Sequence, residues 1–142
     1  MKIVESRLSN FLVQSEIRNM SLECDKIGGI NLSQGISNLP LSSVIKGGAF
    51  KAVENGINYY TRFDCVQELR ESIAEKAFNY NRIKCDPNKN IIVSAGATGA
   101  FYCACLALLN PGDEVIIFEP YYGYHINTLQ AAGAVPKFVK LS

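Results

Sequence analysis

The 142-residue chain lacks strong charge of either sign, long apolar runs, clustered histidines and any cysteine spacing suited to a metal. Its net charge is +1, and its lysines and arginines are scattered (Lys2, Arg7, Arg18, Lys26 and onward) rather than gathered in a stripe. Nucleic acid and anionic membrane surfaces therefore have no electrostatic case as partners. No apolar run approaches the about 18 residues a membrane span needs, and residues 1–20 are polar and periodic rather than signal-like, so a cytoplasmic location is expected. The five cysteines, Cys24, Cys65, Cys85, Cys103 and Cys105, are odd in number, and the last two lie inside an apolar helical pattern. They read as ordinary reduced thiols. His125 is the one histidine and has no serine, cysteine or carboxylate at an interpretable spacing, which argues against a general base, an activated nucleophile or a zinc site. There is no internal repeat, low-complexity tract or block of like charge.

What is present is a composition of 48% hydrophobic and 19% charged residues, which suits one soluble globular unit. A domain of this size buries about 68–70% of its unfolded surface, enough for a core. The stretch from Ile91 to Tyr124 organises the rest. Ile91-Ile92-Val93 is a β-branched run, Ser94 to Gly99 is a small-residue turn, and Ala100 to Leu109 is apolar and helix-forming. A helix opening there leaves unpaired N–H groups and partial positive charge that can hold a phosphate without a lysine. Asn110-Pro111-Gly112-Asp113 stops the helix, and Glu114 to Phe118 is a second strand pattern ending at Glu119-Pro120. This is a βαβ unit, expected to be right-handed with parallel strands and to bind ligands beyond their carboxyl ends.

Before it, Ser9 to Leu22 carries Phe11, Leu12, Ile17, Met20 and Leu22 at loose helical spacing, with Ser9 or Asn10 able to cap. Ile30-Asn31-Leu32 is a brief strand candidate, and Ser33 to Pro40 is a loop centred on Gly35. Val44 to Asn55 predicts a helix ended by Asn55-Gly56. From Cys65 or Val66 to Tyr80 the spacing of Val66, Leu69, Ile73, Ala77 and Phe78 predicts another, with Glu68, Arg70, Glu71, Glu75 and Lys76 on its wet side. After Tyr124, residues 125–132 read as a helix with Gly133 as its C-cap, and Val135 to Leu141 as a third strand. Three parallel strands make half of a doubly wound sheet, so the chain reads as part of a longer fold.

Individual motifs stay open between function and simple packing. Gly96-Ala97-Thr98-Gly99 is neither a P-loop nor a full G-x-G-x-x-G, and could be a turn that needs glycine only for packing. Glu119, about 20 residues on at a strand end, keeps a ribose-binding Rossmann module as the rival reading, against which the glycine spacing argues. Tyr121, Tyr122 and Tyr124 lie in the loop at the ligand edge, where a flat aromatic could stack on a flat cofactor or simply fill a core or a subunit contact. Gly35 could admit a substrate or only turn the chain. Tyr60 could donate to a phosphate or be a half-buried strand tyrosine.

Taken together, five stretches resemble the N-terminal portion of class I/II pyridoxal-phosphate aminotransferases, the fold type I family. They are Ile30 to Gly35, Tyr60-Thr61 with Glu68-Leu69-Arg70, Ser94 to Ala100, Pro111 to Val115, and Pro120 to Tyr124. Their order and spacing carry the resemblance from about Ile30 to Leu141. It implies an α/β, aminotransferase-like fold: an N-terminal arm over 1–30, a small-domain and interface segment over 31–88, and over 89–142 the first βαβαβ half of the large-domain sheet. It implies pyridoxal 5'-phosphate as cofactor, with Gly96, Ala97 and Thr98 giving N–H groups and a hydroxyl to its phosphate and Tyr122 stacking on its ring. Tyr60 would reach the phosphate of the neighbouring subunit of a homodimer, and Gly35 would lie beside the substrate carboxylate. The implied reaction moves an amino group from an amino acid to a 2-oxo acid.

The chain departs from the family pattern in two ways. Cys65 stands where members usually have glycine before the Glu-Leu-Arg helix. The lysine that binds the cofactor, its aspartate, asparagine and tyrosine partners and the arginine that grips the substrate carboxylate all lie later in such proteins, so no catalytic residue is assigned. The chain alone is expected to be inactive, a piece of such an enzyme or a non-catalytic remnant. Other fold type I enzymes, carbon–sulfur lyases or aminocyclopropane-carboxylate synthase-like proteins, share these stretches.

Overall fold

Apolar periods of 3.6 and 2, punctuated by glycine and asparagine stops, divide the chain into a short 3-10 helix (Arg7–Asn10), five α-helices and two strands among residues 4–10 and 12–142, which the computed structural model describes. The helices are α1 (Glu16–Lys26), α2 (Ser43–Glu54), α3 (Gln67–Asn81), α4 (Gly96–Leu108) and α5 (Gly123–Ala131), and the strands are β1 (Glu114–Glu119) and β2 (Val135–Lys140). The chain falls into two units, one of Met1–Gly35 with Ala95–Ser142 and one of Ile36–Ser94.

In the first unit β1 and β2 run parallel, in register from Glu114 opposite Val135 to Glu119 opposite Lys140. Burial alternates along β1, so Val115 and Ile117 turn inward while Ile116 and Phe118 are exposed. The inward face meets α4 and α5, which contribute Cys105 and the fully buried Leu129 to a core closed by Ala134. Phe101, Leu109, Val115, Ile117 and Ala132 pack around them. Burial raises the pKa of the Cys105 thiol, which suits the packing role expected of it. The crossover is held by its turns. Gly133 takes φ +77, and a Cβ there would come within 3.2 Å of Pro111. Gly112 N donates to Gly133 O (2.8 Å) and Val135 N to Asp113 O (2.8 Å), tying the start of one strand to the start of the other.

Three expectations shift. The N-terminal α-helix begins at Glu16 rather than near Ser9: a short 3-10 helix spans Arg7–Asn10, and between the two the Val13 carbonyl accepts from Asn127 Nδ2 of α5 (2.9 Å). Phe11 lies outside the described residues. Ile30-Asn31-Leu32 forms no strand, since Asn31 spends its side chain on a turn, accepting from Ser33 N (2.9 Å) and Oγ (2.7 Å). Ile91-Ile92-Val93 is not in the sheet either, as a strand needs a ladder partner and none pairs with it among the described residues.

The second unit holds α2 and α3. Ser42 Oγ accepts from Val44 N (3.3 Å) at the head of α2, and Gly56 at φ +69 follows its end. Cys65 adopts a backbone conformation that favours glycine, at φ +86, which costs a side-chain-bearing residue about 1–2 kcal/mol. Arg70 corrects the expected wet face of α3: it is 2% exposed. Its Nη1 lies 3.0 Å from Asp64 Oδ2 and donates to Pro87 O (2.9 Å), so the charge is buried only because a carboxylate and a carbonyl meet it there. Arg62 Nε also donates to Asp64, at 3.0 Å.

Candidate active site

The loop after β1 carries Tyr121 and Tyr122 straight into α5. Tyr122 sits at the N-cap position of α5 without capping it by a side-chain bond, and its ring is about half exposed. Two neighbours steady the ring: Tyr124 packs edge-on at 5.2 Å and His125 edge-on at 5.5 Å. His125 in turn lies 4.4 Å from Phe101 of α4. The single histidine is thus a wedge between α4 and the tyrosine loop, and the i, i+3 spacing of Tyr122 and His125 is the sequence signal for it.

A cavity of about 300 Å3 opens beside Tyr122 and Tyr124. Its other walls are Ser15, Ile17 and Arg18 at the start of α1, and the turn Ser33-Gln34-Gly35. Hydrogen bonds lock that turn to α1. Ser21 Oγ accepts from Asn31 Nδ2 (2.8 Å) and lies 3.0 Å from both Gln34 Oε1 and Ile17 O. Sequence reasoning placed Gly35 and Tyr122 as candidates but missed Arg18 and the Ser21–Asn31–Gln34 link, because nothing local marks residues so far apart as neighbours.

The other expected residues fall elsewhere. Gly96, Ala97 and Thr98 open α4, exposed to solvent, and do not line this cavity. Gly96 takes φ +75, and a Cβ on it would meet no atom within 4 Å. Ala95 gives the helix no side-chain cap, and the first-turn N–H groups of Ala97 and Thr98, which have no partner inside the helix, belong to the positive end of its dipole. Tyr60 belongs to the other unit, where its side chain is fully exposed. Among the described residues no cluster of three or more His, Cys, Asp or Glu side chains could hold a metal, and no helix is long and apolar enough to cross a membrane.

The family profile for aminotransferase class I and II matches residues 27–142, from just before the Gly35 turn through β2. The chain belongs to the class I and II aminotransferases. Members of this family depend on pyridoxal 5'-phosphate. Among relatives, an aspartate aminotransferase of Sulfurisphaera tokodaii is 34% identical over 131 residues, which cover 92% of this chain and 32% of that protein. The methionine aminotransferase of Escherichia coli is 35% identical over 122 residues, covering 86% of this chain and 32% of the relative. Among solved structures, an Escherichia coli protein with a methionine aminotransferase function superposes with a TM-score of 0.90 at 31% identity, over 99% of this chain and 37% of that one. The N-succinyldiaminopimelate aminotransferase of Mycobacterium tuberculosis gives 0.89 at 30% identity, over 99% and 36%. The fold is therefore that of a pyridoxal-phosphate aminotransferase, α/β with a small parallel sheet. The chain spans about a third of the length of the curated relatives it matches.

The residues present fit part of that cofactor. A helix start with a left-handed glycine and an exposed threonine suits a phosphate, and a braced, half-exposed tyrosine at the loop suits a flat ring.

Proposed function

We propose that this chain is the N-terminal part of an enzyme that transfers an amino group from an amino acid to a 2-oxo acid. In it Gly96, Ala97 and Thr98 hold the phosphate of pyridoxal 5'-phosphate, Tyr122 lies against its ring, and Gly35 stands beside the substrate carboxylate. When bound, the cofactor supplies an electron sink for the substrate's α-carbon. The residues of this chain bind and orient: N–H groups of α4 meet the phosphate, and His125 and Tyr124 keep the Tyr122 ring edge-on and steady. The same reading gives the enzyme a homodimer in which Tyr60 reaches the partner's cofactor phosphate, and a cytoplasmic location. It also gives an arm over 1–30, a small-domain and interface segment over 31–88 and a cofactor-binding part over 89–142.

The observation that supports the reading most is the cavity that Gly35 and Tyr122 share, since these residues lie 87 positions apart (122 − 35) and are the two for which the resemblance implies substrate and ring contacts. The test is thermal melting of the chain with ligands. Pyridoxal 5'-phosphate at a hundred times its dissociation constant should stabilise it by about 2.7 kcal/mol, while NAD leaves the melting temperature unchanged. Stabilisation by NAD and none by pyridoxal 5'-phosphate would return the Rossmann reading. Amino transfer by the chain alone is not expected, because no residue in it is assigned to take the substrate's α-proton.

A further inference from the structure

The chain contains one Asn-Gly pair, Asn55-Gly56, and it stands at the end of α2. Asn55 is the C-cap residue, and Gly56 follows it at φ +69. Gly56 N donates to Val53 O (3.0 Å) and Ile57 N to Ala52 O (2.9 Å), the paired bonds with which a left-handed glycine closes a helix. Both residues of the pair are exposed, and a Cβ on Gly56 would meet no atom within 4 Å. The side-chain amide of Asn55 has no hydrogen-bond partner among the described residues. Other asparagine side chains are held. Asn31 Nδ2 donates to Ser21 Oγ (2.8 Å), Asn127 Nδ2 to the Val13 carbonyl (2.9 Å), and Asn90 Oδ1 accepts from Asp86 N (2.9 Å). Asn55 thus combines a thermolabile side chain that nothing restrains with a following residue whose backbone no Cβ shields.

We propose that Asn55 is a self-modification site, at which the chain's own backbone converts the stop of α2 to aspartate and isoaspartate. Gly56 N attacks Asn55 Cγ, and the new C–N bond closes a succinimide ring. The Cγ–Nδ2 bond breaks, and ammonia leaves with the proton given up by the Gly56 N–H. Water then opens the ring: cleavage of the new bond leaves aspartate, and cleavage of the original peptide bond leaves isoaspartate, with the main chain running through Cβ and Cγ. No oxidant or reductant takes part. The attack requires Gly56 N–H to leave Val53 O and Asn55 to turn away from its ψ of 7, which fraying of the last turn supplies without global unfolding. Either product sets a carboxylate against the negative end of the α2 dipole. Isoaspartate also lengthens the main chain by a methylene, so the bonds of Gly56 and Ile57 back to the helix no longer close together. The chemistry needs no cofactor and does not depend on the proposed function.

The experiment ages the full, folded chain at mildly alkaline pH and follows it by peptide mass spectrometry, with methyl uptake from a protein isoaspartate methyltransferase marking the isomer. The peptide containing Asn55-Gly56 should gain the mass difference between a hydroxyl and an amino group and take up methyl, while peptides with the other asparagines stay unchanged. Asn55→Gln should abolish both signals. Asn55→Asp, which carries the charge without the extra methylene, should melt about 1–4 °C below wild type, and the aged chain should melt lower still. An unchanged Asn55 peptide, conversion spread over several asparagines, or methyl uptake that survives Asn55→Gln overturns the assignment of the site. An aged chain that melts with the wild type overturns the loss of the helix stop.

Discussion

Replacing Gly96 by alanine should destabilise the chain through backbone conformation alone. Gly96 sits at φ +75 at the head of α4, and the added Cβ would have no atom within 4 Å, so no steric clash contributes. What remains is the cost of holding an L-residue in the left-handed region, about 1–2 kcal/mol. For a chain of this size that corresponds to a fall of roughly 3–6 °C in melting temperature. Asparagine tolerates the conformation better than alanine, so Gly96→Asn should lose less than Gly96→Ala even though its side chain is larger. Differential scanning calorimetry of the three proteins measures both effects. Alanine and wild-type chains melting within a degree of each other, or asparagine falling below alanine, would refute the assignment of positive φ. On the proposed function a side chain at this position also crowds the backbone that meets the cofactor phosphate. Absorbance titration with pyridoxal 5'-phosphate, at a temperature where all three are folded, should then show weaker binding by both variants.

Leu129→Ala removes the one fully buried large side chain among the described residues, in the core between α4, α5 and the sheet, and urea unfolding should show a loss of about 2–5 kcal/mol; a loss below about 1 kcal/mol would mean that this core does not close. Asp64 gives a pH-dependent term. The hydrogen bond from Arg62, opposed by burial and helped by the charges of Arg62 and Arg70, holds its carboxyl below its ordinary 3.8. A depressed folded value means the stabilisation is complete above the unfolded pKa and disappears as pH falls through the folded one. Wild-type stability should therefore drop as the pH goes below about 3.8, and Asp64→Asn should be less stable at neutral pH with a flatter acid limb. Parallel melting curves for the two proteins from pH 6 to pH 2 would contradict this.

Most elements could be read from local chemistry. The Asn-Pro-Gly-Asp stop, the β-branched run of β1 and the Gly56 and Gly133 stops act through neighbours a few positions away, and their consequences stand in the structure within one or two residues, whereas α4 opens at Gly96, four residues before the expected Ala100, so that the small residues Gly96 to Gly99 form its first turn rather than a loop. Arg70 was misread because helical spacing puts a charge on the wet side, whereas Asp64 and the Pro87 carbonyl, met only in the folded unit, draw it under. The bond from Asn127 to the Val13 carbonyl just before α1 is of the same kind, since it joins residues 114 positions apart. Ile91-Ile92-Val93 has strand propensity but no partner among the described residues, and propensity alone cannot complete a ladder.

The candidate site divides along the same line. Gly35, Gly96 and Tyr122 were legible as special residues, because glycine needs and aromatic loops show in the chain itself. Their surroundings were not. That Arg18 shares a cavity with Gly35 and Tyr122, that Ser21 and Asn31 lock its walls, and that His125 packs edge-on against Tyr122 all depend on contacts between α1, the turn at 33–35, α4 and α5. Secondary structure and turns follow from short-range sterics and hydrogen bonding, which any stretch of sequence carries. Which side chains meet, and therefore which charge is buried and which stays exposed, follows from packing that only the folded chain brings about.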